Sequence, residues 1–370
     1  LSYRSQLFGH RKLYDTSATD GLFLEAVREN IAFHERHCAE YAAILKYYDF
    51  DVRMLKNIAD LKEIPTIPTL FIKQQPMISI PEEHWKFKAA SSGTGGQRSL
   101  AGLDRGSARL AFRMVLRTLS HHGVLSPIPA NYIVLGYEPS KNNKIGAAQT
   151  AYGMTFTAPA LHREYALKYN GTDYELNLEG VKSALIRYEK SRFPARFMGF
   201  PAYLYFLMQS LERDGLSLRL PRGSMIFTAG GWKSFFEEEQ DKRKLYELAE
   251  KTLGIPETQC RDFYGAVEHP ISYCTCRNHH FHVPVYSRVL VRDVKTMEPV
   301  GYGEPGIINL ITPLSNAMPL VSVMTDDLAV LHDGHECGCG IESPYFEILG
   351  RAGLSDIVTC AAESAQALEP

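Results

Sequence analysis

The sequence has almost no charge imbalance: 40 Lys and Arg stand against 42 Asp and Glu over 370 residues, a formal net charge of −2. No long basic run disturbs that balance, which removes the electrostatic footprint of a nucleic-acid-binding chain. Long apolar runs are missing too. No stretch approaches the roughly 18 residues needed to cross a bilayer, and the first ten residues carry no apolar segment of the signal-peptide kind. No membrane span is expected, and the cytoplasm is the expected location. Cysteine is scarce and odd in number, seven in all, which argues against a disulfide framework. Internal repeats and low-complexity tails are absent. What remains is 45% hydrophobic, enough for a large core. The length suits two domains, or one large domain with subdomains.

Apolar residues recur at helical spacing over residues 22–48, at Leu22, Leu24, Val27, Ile31, Phe33, Tyr41 and Leu45, and predict one or two helices with Cys38 in their core. Residues 64–71, IPTIPTLF, predict an extended connector punctuated by proline. Asp104 is placed to cap an amphipathic helix running to about His121. Strands expected at residues 131–136, in ARFMGF and in GSMIFTAGG alternate with helices at 176–190 and 202–214. Ser234 with Glu237 has the spacing of a capping box opening a helix that ends at Leu253. This alternation predicts an α/β fold with mainly parallel sheets. Beyond Cys260 the pattern changes to strand-like runs at 285–292, 306–312, 320–324 and 329–332. The expected division is therefore α/β subdomains over residues 1–259, a β-rich subdomain over 260–350, and a hinge with a short tail over 351–370.

Four motifs can carry chemistry. In SSGTGG, the hydroxyls of Ser91, Ser92 and Thr94 and the backbone around Gly93, Gly95 and Gly96 can present donors to a phosphate. No Lys-Ser/Thr follows, so it is not a Walker loop. Taken alone it reads first as a surface turn. In FYGAVE, Tyr264 and Gly265 precede Glu268, whose carboxylate can hold Mg²⁺ against a triphosphate. In VSVMTDDL, Asp327 at a strand end can accept hydrogen bonds from ribose hydroxyls. In ILGR, Arg351 can reach ribose or phosphate. Each of these also reads as an ordinary turn or a solvated charge. His269 reads first as capping or lining the site wall, with a catalytic role as the other reading, and Tyr203, Tyr205 and Phe206 read as core before pocket lining.

Two C-x-C pairs, Cys274 with Cys276 and Cys337 with Cys339, suggest a metal. On a strand, side chains at i and i+2 share a face, so each pair can offer two thiolates. Two such pairs together make a structural four-thiolate Zn²⁺ site. His279, His280 and His282 are spare ligands if one cysteine fails to reach, and four unrelated buried cysteines are the other reading. Cys260 reads as core.

The order of the motifs is more specific than any one of them. A Ser/Thr/Gly loop, a Gly230–Gly231 turn, Tyr-Gly-x-x-Glu, Gly-Glu-x-Gly, Thr-x-Asp and Gly-Arg, spread over about residues 60–356, resemble the adenylate-forming superfamily of acyl-CoA synthetases and adenylation domains. Within it, IPTIPTLFIK, the cysteine pairs and the length look most like phenylacetate–CoA ligases and the acyl-protein synthetases (LuxE-type), and TAGGWK looks more like the latter. The resemblance implies a large adenylate-forming domain built of α/β subdomains with a β-rich subdomain. It implies that Ser91, Ser92, Gly93, Thr94, Gly95 and Gly96 contact ATP phosphates and that Gly230, Gly231 and Trp232 border the adenine. Tyr264 and Gly265 would line the adenylate and acyl pocket, Glu268 would position Mg²⁺, and Asp327 would hold the ribose with Arg351 beside it at the hinge. Thr94 and Glu268 are the implied catalytic residues.

There are departures from the family pattern. Gly-Gly-Gln-Arg follows Thr94 where a second Thr and a Lys are usual, and Thr-Gly-Asp is replaced by Thr325-Asp326-Asp327. The lid domain that follows the hinge in such enzymes, about a hundred residues, is expected to be short or missing, since the sequence ends at Pro370. In acyl-protein synthetases a cysteine near the C-terminus accepts the acyl group, and Cys360 stands in the matching region. The implied substrates are ATP and a carboxylic acid of the fatty class, with an acyl-reductase or an acyl-carrier protein as partner. Two alternatives stay open: an acyl-CoA ligase or carrier-protein loader lacking its lid, and a non-catalytic nucleotide-binding module.

Overall fold

Every residue of Ala130–Tyr137 except the last is buried, which is the behaviour of a central strand covered on both faces. In the computed structural model, which describes residues 1–90, 100–140, 146–230 and 241–351, this strand belongs to a unit formed by Leu119–Tyr264 and Cys274–His279. Its strands run Cys260–Ala266, Met225–Ala229, Ala195–Gly199, Ala130–Tyr137, Ala160–Tyr169 and Tyr174–Leu176 in spatial order. The neighbours are parallel except at the last, antiparallel edge. Parallel neighbours need crossovers, and four described helices, Gly146–Met154, Leu178–Glu189, Pro201–Arg213 and Lys242–Leu253, lie between these strands in the chain. Leu185, Leu204, Leu207 and Leu245 from those helices join Phe197 and Ile226 of the sheet in one buried cluster, with Tyr203 and Tyr205 packed against it. The mainly parallel α/β expectation holds here.

Pro201 opens its helix where no N–H is needed. Gly254, at φ +68, ends the helix Lys242–Leu253 in the left-handed region that favours glycine. That helix is capped by Asp241, which accepts from the Arg243 N–H at 2.9 Å. The capping box expected at Ser234 and Glu237 lies outside the described residues.

The other unit comprises Leu1–Thr118, Gly265–Tyr273 and the described residues from His280. Its larger sheet orders Phe281–His282, Tyr345–Arg351, Ser322–His332, Pro305–Ile311 and Arg288–Arg292, all antiparallel, with Ile67–Pro68 added in parallel to Ser322–His332. The expected boundary at residue 260 therefore differs from the observed division: the first 118 residues group with the β-rich part. Two long-range features tie them there. Ile67 pairs with Val323, and buried Arg4 donates to the carbonyls of Pro313 at 2.7 Å and Leu314 at 2.5 Å. Neither pairing leaves a local mark in the sequence.

Other expectations held or shifted within this unit. Thr16–His37 and Ala39–Tyr47 are two helices, separated where buried Cys38 is extended at φ −139, ψ 106. The helix Arg105–His121 begins where Asp104 accepts from the Gly106 N–H at 2.8 Å. The proline-punctuated connector is instead a short strand, Ile67–Pro68, followed by a helix, Thr69–Gln74. The strands expected at 320–324 and 329–332 are one, Ser322–His332, because the polar Thr325-Asp326-Asp327 interrupts the apolar pattern without ending the strand.

Two buried histidines of this unit set its response to acid. The His34 Nε2–H donates to the Ser315 carbonyl at 2.9 Å, and Nδ1 accepts from the Ser79 hydroxyl at 2.7 Å. Burial pushes the pKa of His34, and that of His269, from 6.5 down to about 3. Both are thus neutral when folded, while the unfolded chain takes up their protons near 6.5. The stability they contribute is complete above about pH 6.5 and is lost as pH falls toward 3, by up to about 1.4 kcal/mol per pH unit for each. Urea midpoints should fall steeply between pH 6.5 and 4.5, and His34→Asn should flatten the fall. An unchanged slope in that variant would mean that carboxylates, not His34, govern the acid transition.

Candidate functional site

The phosphate-loop residues Ser91 to Gly96 lie outside the described residues, but their flanks do not. Strands Trp85–Ala90 and Leu100–Asp104 pair antiparallel, with Ala90 opposite Leu100, so the loop joins two strands of a hairpin. Gly102 is required there: a Cβ would lie 2.1 Å from the Trp85 ring, which the ring, fixed by its Nε1–H donating to the Ile80 carbonyl at 2.6 Å, cannot easily yield.

In the same unit the structure brings Asp327 and Arg351 together. They are opposite residues on adjacent strands, and Arg351 Nε lies 3.8 Å from Asp327 Oδ1. The Thr325 hydroxyl donates to Asp327 Oδ2 at 3.3 Å and accepts from the Asp327 N–H at 3.1 Å. Asp326 is held separately, accepting from the Thr69 hydroxyl at 2.8 Å. The long, mostly exposed ion pair contributes little to stability. Chemically it presents a fixed carboxylate acceptor with an exposed guanidinium beside it, suited to a diol flanked by a phosphate.

Glu268 is buried, 5% exposed, in the turn that enters the strand His269–Cys274. Just before it, Gly265 passes so near the Ile271 carbonyl that a Cβ would meet it at 3.1 Å. Behind Glu268 runs a buried hydrogen-bond chain that the sequence did not disclose. Ser287 donates to the Ile311 carbonyl at 3.1 Å. The Tyr273 hydroxyl is hydrogen-bonded to Ser287 Oγ at 2.6 Å and to His269 Nε2 at 3.0 Å. Ser287 Oγ also lies 3.4 Å from His269 Nε2, so the three side chains form one buried polar cluster. Burial keeps His269 neutral beside Glu268.

In the parallel-sheet unit, Gly230 follows the strand Met225–Ala229 at φ +82, a conformation that favours glycine. Gly231 and Trp232 lie outside the described residues. Tyr264, half-buried, lies on the adjacent strand Cys260–Ala266, whose Phe263 is opposite Ala229. Both motifs thus stand at the C-terminal ends of neighbouring parallel strands, where ligands of open α/β sheets bind. A carboxylate missed in the sequence joins them. Asp262 accepts from the Thr228 hydroxyl and, at 3.1 Å, from the Tyr246 hydroxyl, while Lys242 Nζ lies 3.0 Å away. The available signal was that Thr228 and Asp262 each stand two residues before a motif residue, Gly230 and Tyr264.

The cysteines depart from the expected four-thiolate pattern. The strand His269–Cys274 ends at Cys274, so Cys274 and Cys276 are not two same-face positions of one strand. Cys274 is fully buried, with burial raising its thiol pKa, and it donates weakly to the Thr275 carbonyl at 3.7 Å. In the β-rich unit, the ligand atoms of His282, Cys337 and Cys339 lie within 4.8 Å of one another. Of the three histidines named as spare ligands, His282 is the one that stands with Cys337 and Cys339.

Comparison with known proteins places this geometry in a family. The acyl-protein synthetase (LuxE) family description matches residues 13–369. Two similar relatives are long-chain-fatty-acid–luciferin-component ligases. That of Aliivibrio fischeri is 26% identical over 313 residues, and that of Vibrio harveyi 24% over 316; each match covers 84% of this chain and 79% of the relative. A solved 2-hydroxyisobutyryl-CoA ligase in complex with 2-HIB-AMP superposes with a TM-score of 0.68 at 16% identity, over 92% of this chain and 69% of that one. At that identity the likeness establishes the fold, that of the adenylate-forming ligases. With residues 13–369 matched, the chain belongs to the acyl-protein synthetase family.

Proposed function

We propose that the chain activates a carboxylic acid, of the long-chain fatty class, with ATP and passes the acyl group to a protein thiol. A carboxylate oxygen attacks the α-phosphorus of ATP, the bond to pyrophosphate breaks, and an acyl-adenylate forms. The thiolate of Cys360 then attacks the acyl carbon and AMP leaves, giving an acyl-enzyme. Mg²⁺ would neutralise phosphate charge during the first step, and Glu268 is the residue proposed to hold it. Ser91, Ser92, Gly93, Thr94, Gly95 and Gly96 bind the phosphates, Gly230, Gly231 and Trp232 border the adenine, and Tyr264 and Gly265 line the acyl pocket. The work of this chain is positioning and charge stabilisation. An acyl-reductase is the proposed recipient of the acyl group. Zn²⁺ is proposed as a structural ion apart from the reacting groups.

The family match supports the reaction class, and the observation that carries the nucleotide reading is the cross-strand Asp327–Arg351 pair. The test is ATP–pyrophosphate exchange across a panel of carboxylic acids. Exchange should require the acid and be fastest with long-chain fatty acids. Asp327→Asn removes the charge from an acceptor of two ribose hydroxyls, a loss of about 1.5–3 kcal/mol. The KM for ATP should therefore rise roughly ten- to hundredfold. A variant with unchanged KM places the ribose elsewhere, and acid-independent pyrophosphate release would remove the activation reaction altogether.

A further inference from the structure

The connection between the strands Cys260–Ala266 and His269–Cys274 is two residues long, Val267 and Glu268. His269 therefore follows Glu268 directly, and the backbone that orients one orients the other. Along a strand, side chains at every second position share a face. His269, Ile271 and Tyr273 are the buried ones in this alternation. Two of those three places thus go to polar rings, where apolar side chains would fill the same space.

Burial there is complete. His269 and Ser287 are 0% exposed and Tyr273 is 1% exposed. The rings of His269 and Tyr273 are near parallel, 11° apart. The Tyr273 hydroxyl joins His269 Nε2 to Ser287 Oγ. Ser287 in turn donates to the carbonyl of Ile311, which stands opposite Arg288 in the antiparallel sheet. Phe346 packs edge-on against Tyr273 at 5.0 Å. All of these groups belong to the β-rich unit.

His269 Nδ1 meets no hydrogen-bond partner among the described residues. Leaving a buried nitrogen unpaired is costly. A leucine would pack there without that cost, so cohesion of the core does not account for the histidine. What the imidazole adds is a directed bond from Nε2 to a hydroxyl that is itself tied to the sheet. Such a bond fixes an orientation, which apolar packing does less sharply.

We propose that His269 and Tyr273 are positioning residues: their buried bond, anchored through Ser287, holds the connection so that the Glu268 carboxylate meets the cation of the bound nucleotide. The proposal rests on the reading of Glu268 as the residue that holds Mg²⁺. Removing the outer partners of a metal ligand typically weakens metal binding by about 10–100-fold. Here the loss should fall on the share of ATP binding that depends on the cation.

That share can be measured without turnover. Calorimetric titration of ATP into the full chain, with no carboxylic acid present, gives the affinity with Mg²⁺ and with a chelator in its place. The ratio is the factor by which the cation tightens ATP binding. Tyr273→Phe keeps the ring and should shrink that factor about tenfold, with the affinity in chelator unchanged. His269→Leu should do the same, while His269→Gln, whose amide can meet the Tyr273 hydroxyl, should keep most of the factor. Phe346→Leu loosens the same core without touching the bond, and should lower the melting temperature but leave the factor alone. A wild-type factor in Tyr273→Phe, with Glu268→Gln having lost it, would overturn this inference and leave Glu268 in its role. An equal loss in Phe346→Leu would reduce the cluster to core cohesion. If Glu268→Gln itself keeps the factor, the cation is held elsewhere and both readings fall.

Discussion

Glu268→Gln should lower fatty-acid-dependent ATP–pyrophosphate exchange by about 10²–10³-fold, the loss typical of removing one preorganised electrostatic group from a reacting centre. A carboxylate that is only 5% exposed is costly to bury without a cationic partner. The proposed Mg²⁺ would be that partner. Glutamine keeps the shape and one oxygen but removes the charge, so the fold should persist. The deficit should shrink as Mg²⁺ is raised if the residue acts through the ion. Exchange at the wild-type rate, or a melting temperature that collapses together with activity, would show Glu268 to be a structural group.

The second large effect falls on the acyl acceptor. Incubated with ATP, Mg²⁺ and a radiolabelled fatty acid, the wild-type chain should acquire label that neutral hydroxylamine removes, and Cys360→Ser should acquire none while still catalysing exchange. The other cysteines narrow the choice to this one. Burial pushes the thiols of Cys38 and Cys260 up to about 11 and 12 and raises that of Cys274 further. None of the three is a thiolate at neutral pH. Cys276, Cys337 and Cys339 are among the four cysteines proposed to hold the structural zinc. Of the seven cysteines only Cys360, which lies outside the described residues, is left. Label that persists in Cys360→Ser moves the acceptor to another residue. Wild-type protein that stays unlabelled while added CoA is acylated makes the enzyme an acyl-CoA ligase.

Sequence reading succeeded where the determinant is local. The strands Ala130–Tyr137, Ala195–Gly199 and Met225–Ala229 follow from apolar runs, and the helix Arg105–His121 from Asp104 as its cap. Asp327 and Arg351 were each legible from their motifs, and the antiparallel register that sets them opposite one another is the structure's addition. What was missed is non-local. Asp262 is a single charge in a strand, with meaning only once Thr228 on the next strand donates to it. His269 looked like one more ring on a site wall, and its buried hydrogen bond to Tyr273, which in turn bonds Ser287, is visible only in the structure. The first cysteine pair is a similar case: C-x-C spacing implies a shared strand face, but the strand ends at Cys274.

The pairing of Ile67 with Val323 also has a consequence in time. While the chain is being synthesised, the first 118 residues must wait for strands about 250 positions downstream. At roughly 5–20 residues per second that is on the order of 10–50 s. During that interval the apolar faces of Thr16–His37 and Ala39–Tyr47, and the guanidinium of Arg4 that later docks on Pro313 and Leu314, have no native partner from the downstream sheet. The run Leu119–Tyr264 is continuous in sequence and carries its own parallel sheet. It can therefore collapse as soon as it leaves the ribosome, while the N-terminal helices lack their downstream sheet partners until the last strands arrive.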